Sequence, residues 1–445
     1  MITPPRAVRD RILSLSPTEL PAYVYDLAAL RAHAASVRAA LPDRVELYYA
    51  VEANGEPEIL AELGPYVDGY KVSSGIELAH VADAAVDRPR VFGGTEKTPT
   101  ELADALERGV TRFQVESEYE LYMLAGLAQR HAPDRRVAVL PRFDLPVPDG
   151  LLTADGGGSA TASGLDPVRA DTIVGLLTDG SYPNLELRGV HAHLANGVHA
   201  EEHLALAESV VAWTLELAAR NGLRLTEVGI GGGMAVDYDR PEGRVDWHAY
   251  GEGLARLVTA HPGLTLRIEP GRALTAYCGW YASEVLDVEH GSSEDFAVIR
   301  GGAVHLRTPV TGRHDQPWSV LEVEPWPYSW PRPVVRRERA TLTGQLSTPK
   351  DVLVRDVRAQ GLRAGDRVVF SPSGRLHLVR PAPGPHALSG TRLPLPGRER
   401  RRRPVPMTDG RWPMTVRNTR SCRRGRRGAS SDTPGRIVRR TRRVA

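Results

Sequence analysis

A chain of 445 residues, 41% hydrophobic and 25% charged, is long enough for two domains with full cores. Its two cysteines, Cys278 and Cys422, exclude a disulfide framework, and no apolar run approaches the roughly 18 residues of a membrane span. The net charge of +3 hides an asymmetry: from Arg375 onward there are 20 Arg, no Lys and three acids, so the body before it is acidic. With no apolar signal-peptide core between Met1 and Asp10, the expected location is cytoplasmic.

From Tyr23 to Asp287, β-rich runs alternate with amphipathic stretches. The predicted strands are Val45–Val51, Gly69–Ser73, Arg90–Phe92, Arg112–Val115, Val137–Arg142, Glu186–His193, Glu227–Ile230 and Leu264–Ile268. Helical patterns such as Glu56–Leu63, Thr100–Arg108, Glu116–Gln129 and His203–Arg220 lie between them. Eight such units predict an α/β fold, a (β/α)8 barrel over residues 23–285. The loop Pro146–Gly164 is rich in Gly, Ser and Ala. Residues 286–380 read as a β-rich domain, with runs at Phe296–Arg300, Val320–Glu324, Thr341–Leu346 and Arg367–Phe370, and with residues 1–22 as a strand that could join it. Residues 381–445 show no periodicity and read as a disordered Arg/Pro-rich tail.

Active sites of such barrels lie at the C-terminal ends of the strands, where the notable motifs fall. Gly231-Gly232-Gly233 follows a strand and suits either a tight turn or a backbone nest for an anion. Glu269-Pro270-Gly271-Arg272 follows the next strand. The run Gly189-Val190-His191-Ala192-His193-Leu194-Ala195-Asn196-Gly197 is a strand with two histidines, and Arg142 ends another. The body holds three lysines, Lys71, Lys97 and Lys350, and the tail holds none.

These motifs resemble those of pyridoxal-phosphate (PLP) decarboxylases of the alanine-racemase-like fold, over about Tyr23 to Pro372. The wording around Cys278-Gly279-Trp280-Tyr281 and Ser347-Thr348-Pro349-Lys350-Asp351 is most similar to the branch serving siderophore and other natural-product pathways. The resemblance implies PLP as cofactor, decarboxylation of an amino acid or amino-acid-containing intermediate, and a homodimer with shared active sites. It implies that Glu269 holds the pyridine nitrogen and that Gly231, Gly232, Gly233, Gly271 and Arg272 hold the phosphate. It further implies His193 against the ring, Asn196 in place of a phosphate-binding serine, Arg142 near the cofactor, and Asp351 reaching the partner's site. It implies no metal. Ser347 stands where the family has a cysteine.

One pair departs from the pattern. In Tyr49-Ala50-Val51-Glu52-Ala53-Asn54, Glu52 stands where the family has its Schiff-base lysine. In Gly69-Tyr70-Lys71-Val72-Ser73, Lys71 stands where the family has an acid. Three readings are open. Lys71 has taken over the covalent role; the exchange keeps a buried ion pair in a non-catalytic PLP- or ligand-binding protein; or Glu52 is a defect in a decaying gene.

The tail has two readings. Dropping one base after a plausible Gly374 codon restores Ala-Tyr-Thr-Trp, the family's closing motif, which points to a shifted reading frame. The alternative is a basic segment that binds nucleic acid, for which Trp412 is the only aromatic support. The body carries no feature directed at nucleic acid or membrane.

Overall fold

A computed structural model describes residues 2–84, 86–95, 97–148, 151, 164–238, 240–306, 317–346, 348–373 and 386–388. The expectations for Ser347, for most of the Pro146–Gly164 loop and for the tail beyond Ser373, apart from 386–388, lie outside the described residues.

The first strand, β1 (Ala22–Asp26), does not enter the barrel. The barrel is built from β2 (Val45–Ala50), β3 (Gly69–Val72), β4 (Arg90–Phe92), β5 (Arg112–Val115), β6 (Val137–Pro141), β7 (Leu185–Leu187), β8 (Gly189–His191), β9 (Glu227–Gly229) and β10 (Thr265–Ile268). Their order is β7-β6-β5-β4-β3-β2-β10-β9-β8, and all pairs are parallel. The predicted single strand Glu186–His193 is broken at Arg188, whose N–H bonds Val139 O at 3.2 Å. Its first piece pairs with β6 and its second with β9, so nine segments fill eight strand positions and the ring is completed at this break. The (β/α)8 expectation is met.

Local chemistry explains the alternation. The strands are short and largely apolar because helices cover their outer faces. Helices begin where a polar side chain accepts an otherwise unpaired N–H: Asp26 from Ala29, Ser74 from Glu77, Ser117 from Glu120. Thr98 and Glu101 form a reciprocal capping box.

At the strand starts, away from the motifs, the barrel closes around charge. Arg267 is 1% exposed and bonds Glu46 at 2.6 Å and Glu227 at 2.9 Å. Glu227 also meets Arg112 at 3.0 Å and Arg188 at 3.2 Å. The Arg267 guanidinium lies 4.7 Å from the Tyr48 ring centroid.

The mixed sheet comprises β1 with β11 (Gly279–His290), β12 (Asp295–Ile299), β13 (Trp318–Leu321), β14 (Arg339–Thr343), β15 (Val352–Arg358), β16 (Arg367–Phe370) and β17 (His386–Leu388). Its path is β13-β16-β11-β12-β14-β15, with β1 beside β11 and β17 beside β1. Strand β11 pairs with β1 and β16 through its first half, shifts register between Val285 and Asp287, and then pairs with β12.

Three boundaries need correction. The mixed sheet takes residues 23–26 and the start of β11 from the segment 23–285 assigned to the barrel, because β1 and β11 pair antiparallel with Ala22 opposite Ala282. Residues 1–22 hold a helix, Arg6–Ser14, where a strand was expected. Its Val8 and Ile12, four apart, pack with Val24, Trp280 and Val369. Within the segment read as disordered, His386–Leu388 form a strand parallel to β1, on the edge that β11 leaves open.

Candidate active site

The C-terminal mouth of the barrel brings together most of the residues singled out from sequence. At its floor lies Glu269, 5% exposed. Its Oε1 accepts a 2.6 Å hydrogen bond from Gln114 Nε2, which also lies 3.1 Å from His191 Nδ1. With Nδ1 accepting from the amide, the His191 proton sits on Nε2, which faces Glu269 Oε2 at 3.9 Å. Burial raises the Glu269 carboxyl above its ordinary value, against the pull of Lys71 and Arg267. A buried carboxylate with one oxygen so lightly held suits a cationic ring N–H. Gln114 and His191 were missed as site residues. The signal for Gln114 was a lone amide between Phe113 and Val115 in a buried strand.

The glycine loop wraps over this floor. Gly231 and Gly233 have φ of +66° and +92°, conformations that L side chains rarely adopt. At Gly232 the requirement is space: a Cβ would stand 2.3 Å from Glu269 O. Gly232 N–H donates to His193 Nδ1 at 3.3 Å, which leaves the His193 proton on Nε2, 3.3 Å from Asn196 Oδ1. Burial pushes the His193 imidazole down to about 4, so it is neutral at ordinary pH. Beneath the loop, His203 Nε2 lies 2.6 Å from Gly232 O, and Tyr250 donates its hydroxyl to His203 Nδ1 at 2.8 Å. His203 was not singled out from sequence, because a helix histidine gives no sign of which carbonyl it will meet. Replacing His203 with Phe strands the Gly232 carbonyl and the Tyr250 hydroxyl. It is expected to lower unfolding free energy by about 1–3 kcal/mol in urea titrations.

Gly271 turns the chain where a Cβ would lie 2.9 Å from Ala53 Cβ, and Ala50 N–H bonds Pro270 O at 3.2 Å. The Glu269–Arg272 turn thus lies against the turn that carries Glu52. Arg272, half-buried, opens a four-residue helix. Arg142 pairs with Glu116 at 2.8 Å, and its charge helps to hold both His191 and His193 unprotonated.

The exchanged pair meets as expected from adjacent strands. Ala50 is in register with Lys71, and Lys71 Nζ lies 3.2 Å from Glu52 Oε2. Ser73 Oγ joins them, bonded to Lys71 Nζ and 3.3 Å from Glu52 Oε2. The Lys71 ammonium pulls the Glu52 carboxyl below its ordinary value, against the burial that raises it. The Glu52 side chain is nevertheless 58% exposed, so the pair is not the buried ion pair of the second of the three readings.

Lys97 is placed differently. Its side chain is wholly buried, held by Glu120 at 2.5 Å and Gly94 O at 2.6 Å. Lys350 is exposed on the turn between β14 and β15. Asp351 is 3% exposed, and both of its oxygens accept from its own chain: Ala303 N–H at 2.6 Å and Leu346 N–H at 2.7 Å. Among the described residues, no group of three or more His, Cys, Asp or Glu could hold a metal ion, and no helix is long and apolar enough to cross a membrane.

Residues 27–276 match the family "pyridoxal-dependent decarboxylase, pyridoxal binding domain". Among characterised proteins, the chain is 30% identical over 355 residues to the 2-[(L-alanin-3-ylcarbamoyl)methyl]-2-hydroxybutanedioate decarboxylase of Staphylococcus aureus (strain NCTC 8325 / PS 47), covering 79% of this chain and 88% of that protein. It is also 30% identical over 369 residues to a diaminopimelate decarboxylase of Actinosynnema pretiosum subsp. auranticum, covering 80% and 79%. The crystal structure of diaminopimelate decarboxylase from Helicobacter pylori with L-lysine has the same fold, with a TM-score of 0.69 at 21% identity, over 82% of this chain and 88% of that one. The barrel, the glycine loop and the buried Glu269 accord with this match along the sequence, and the chain belongs to the pyridoxal-dependent decarboxylase family.

Proposed function

We propose that this chain is a PLP-dependent decarboxylase acting on an amino-acid unit within a larger, carboxylate-rich intermediate of natural-product or siderophore type. The observation that carries the reading is the buried Glu269, oriented by Gln114 on the floor of the mouth, with the glycine loop packed so closely over it that a Cβ at Gly232 would strike the Glu269 carbonyl. The residues fit the cofactor. Glu269 would hold a proton on the pyridine nitrogen, the Gly231–Gly233 loop with Gly271 and Arg272 would take the phosphate, and His193 would lie against the ring, with Gly232 N–H and Asn196 fixing its tautomer and burial, aided by Arg142, keeping it neutral. The bound cofactor supplies an electron sink for the pair left when the α-carboxylate departs as CO2.

The chain's own contribution is placement and charge. The neutral His193 would add no positive charge beside the ring, leaving Glu269 to act on the pyridine nitrogen without a competing imidazolium. The non-catalytic alternative finds no support among relatives that are themselves decarboxylases.

We further propose a cytoplasmic homodimer. Supporting the dimer is a groove of about 690 Å³ beside Asp351, lined by Gln345, Leu346, Thr348, Pro349 and Val352, with Leu346 47% exposed. Sedimentation velocity is expected to give a dimer, and Leu346→Glu to shift it toward monomer. Activity is tested by CO2 release with and without added PLP. The panel comprises diaminopimelate, ornithine, lysine, arginine and 2-[(L-alanin-3-ylcarbamoyl)methyl]-2-hydroxybutanedioate. PLP-dependent release from the last is expected, and no release from any of them sinks the proposal.

A further inference from the structure

We propose that Lys71, with Glu52 as its proton acceptor, is the residue that bonds covalently to the cofactor; the inference rests on the PLP reading above. Pyridoxal phosphate carries an aldehyde, and a lysine amine is the side chain that condenses with it reversibly. The chain offers Lys71, Lys97 and Lys350. The Lys97 side chain has no exposed surface, and its ammonium is held by Glu120 and the Gly94 carbonyl. Releasing it would leave Glu120 buried without its cation. Lys350 lies on a turn of the mixed sheet, outside the ring of barrel strand ends.

Lys71 alone faces the floor of the site. Its Cε lies 3.3 Å from where a Gly93 Cβ would be, and that position is itself filled by the Gln114 amide that orients Glu269. The Lys71 charge acts on Glu269, His191 and His193 alike, in keeping with that position. The side chain is 13% exposed, shielded yet reachable from the mouth.

The surroundings also supply the proton path. Lys71 must shed a proton before its nitrogen can attack. Glu52 Oε2, 3.2 Å away, accepts it, with Ser73 Oγ bonded to both groups. The freed lone pair forms the C–N bond while the carbonyl π pair moves to oxygen. That oxygen takes up the proton held by Glu52 and the second proton from nitrogen, and it leaves as water as the C=N bond forms. No other co-reactant is needed.

The test uses the full chain with added pyridoxal phosphate. Borohydride reduction and peptide mapping by mass spectrometry locate the bond, and cofactor fluorescence measures binding independently. The expected result is a reduced adduct on Lys71. Lys71→Arg keeps the positive charge beside Glu52, and a melting temperature near that of the parent chain shows that it folds. It is expected to bind the cofactor yet give at least about tenfold less adduct. Glu52→Gln is expected to slow growth of the absorbance band of the bound form about 10²-fold, with the adduct still on Lys71. An adduct on Lys97 or Lys350, or bound cofactor with no reducible bond, overturns the assignment of Lys71 while leaving the cofactor reading intact. An unchanged rate in Glu52→Gln overturns the role of Glu52. Absence of any cofactor binding by the parent chain overturns the PLP reading itself, and this inference falls with it.

Discussion

Glu269→Gln is expected to lower the decarboxylation rate by roughly 10²–10³-fold, the range found when one preorganised electrostatic partner is removed from an active site. The substitution is nearly isosteric. The neutral amide can still meet Gln114 with one oxygen, so the floor keeps its shape. What it loses is the negative charge opposite the ring nitrogen, and with it the preference for a protonated, electron-withdrawing ring. The loss should therefore fall on kcat, with cofactor binding weakened far less, because the phosphate grip lies elsewhere. Single-turnover CO2 release at saturating cofactor measures it. A variant retaining more than about a tenth of the parent rate would show that the ring nitrogen is not served by Glu269.

Glu227→Gln is expected to destabilise the fold by about 3–5 kcal/mol, the cost of breaking a buried ion network from one side. Glu227 receives Arg112, Arg188 and Arg267, and Arg267 retains only Glu46 when that carboxylate is neutralised. Urea titration gives the value directly. Combined with Arg267→Met, the two changes should cost less than their sum, since each removes what the other leaves unpaired.

The same network sets part of the acid limit. The Glu227 carboxyl is held below its ordinary value by Arg267 and Arg112, against burial. Its contribution is therefore complete above the unfolded carboxylate value near 4.3 and is lost as pH falls through the lower folded value. His203 acts earlier. Burial pushes its imidazole down to about 4, below the unfolded value near 6.5. Stability from keeping it neutral is thus full above about 6.5 and declines as pH falls toward 4. Urea midpoints measured from pH 7.5 to 4 should fall over that window, and less steeply in His203→Phe.

Much of the barrel was legible because its strands are buried by covering helices and punctuated by caps and glycines, all of which are local signals. The split at Arg188 was not, since a strand that satisfies β6 with one half and β9 with the other looks continuous in sequence. The mixed sheet was read least well. β1 and β11 sit next to barrel sequence, and only their long-range pairing assigns them to the other sheet. Within the site, motif residues were visible because they cluster at strand ends. Gln114, His191, His203 and Ser73 were not, because their roles depend on which atom of another element they meet. The opposite error occurred at Glu52 and Lys71: pairing was foreseen, but a carboxylate so open to solvent was not.

The register that sets Ala50 opposite Lys71 has a consequence for how this mouth tolerates change. Two side chains that face each other across one seam of a parallel sheet attract equally whichever strand carries the cation. Their mutual attraction therefore depends on the product of charges, which an exchange leaves the same, and not on the direction of the field between them. A ligand bound on one side of the seam senses that direction and little else. Positions of this kind let a barrel reverse the polarity presented to its guest while the attraction across the seam is kept, so new chemistry at the rim need not begin with loss of the scaffold.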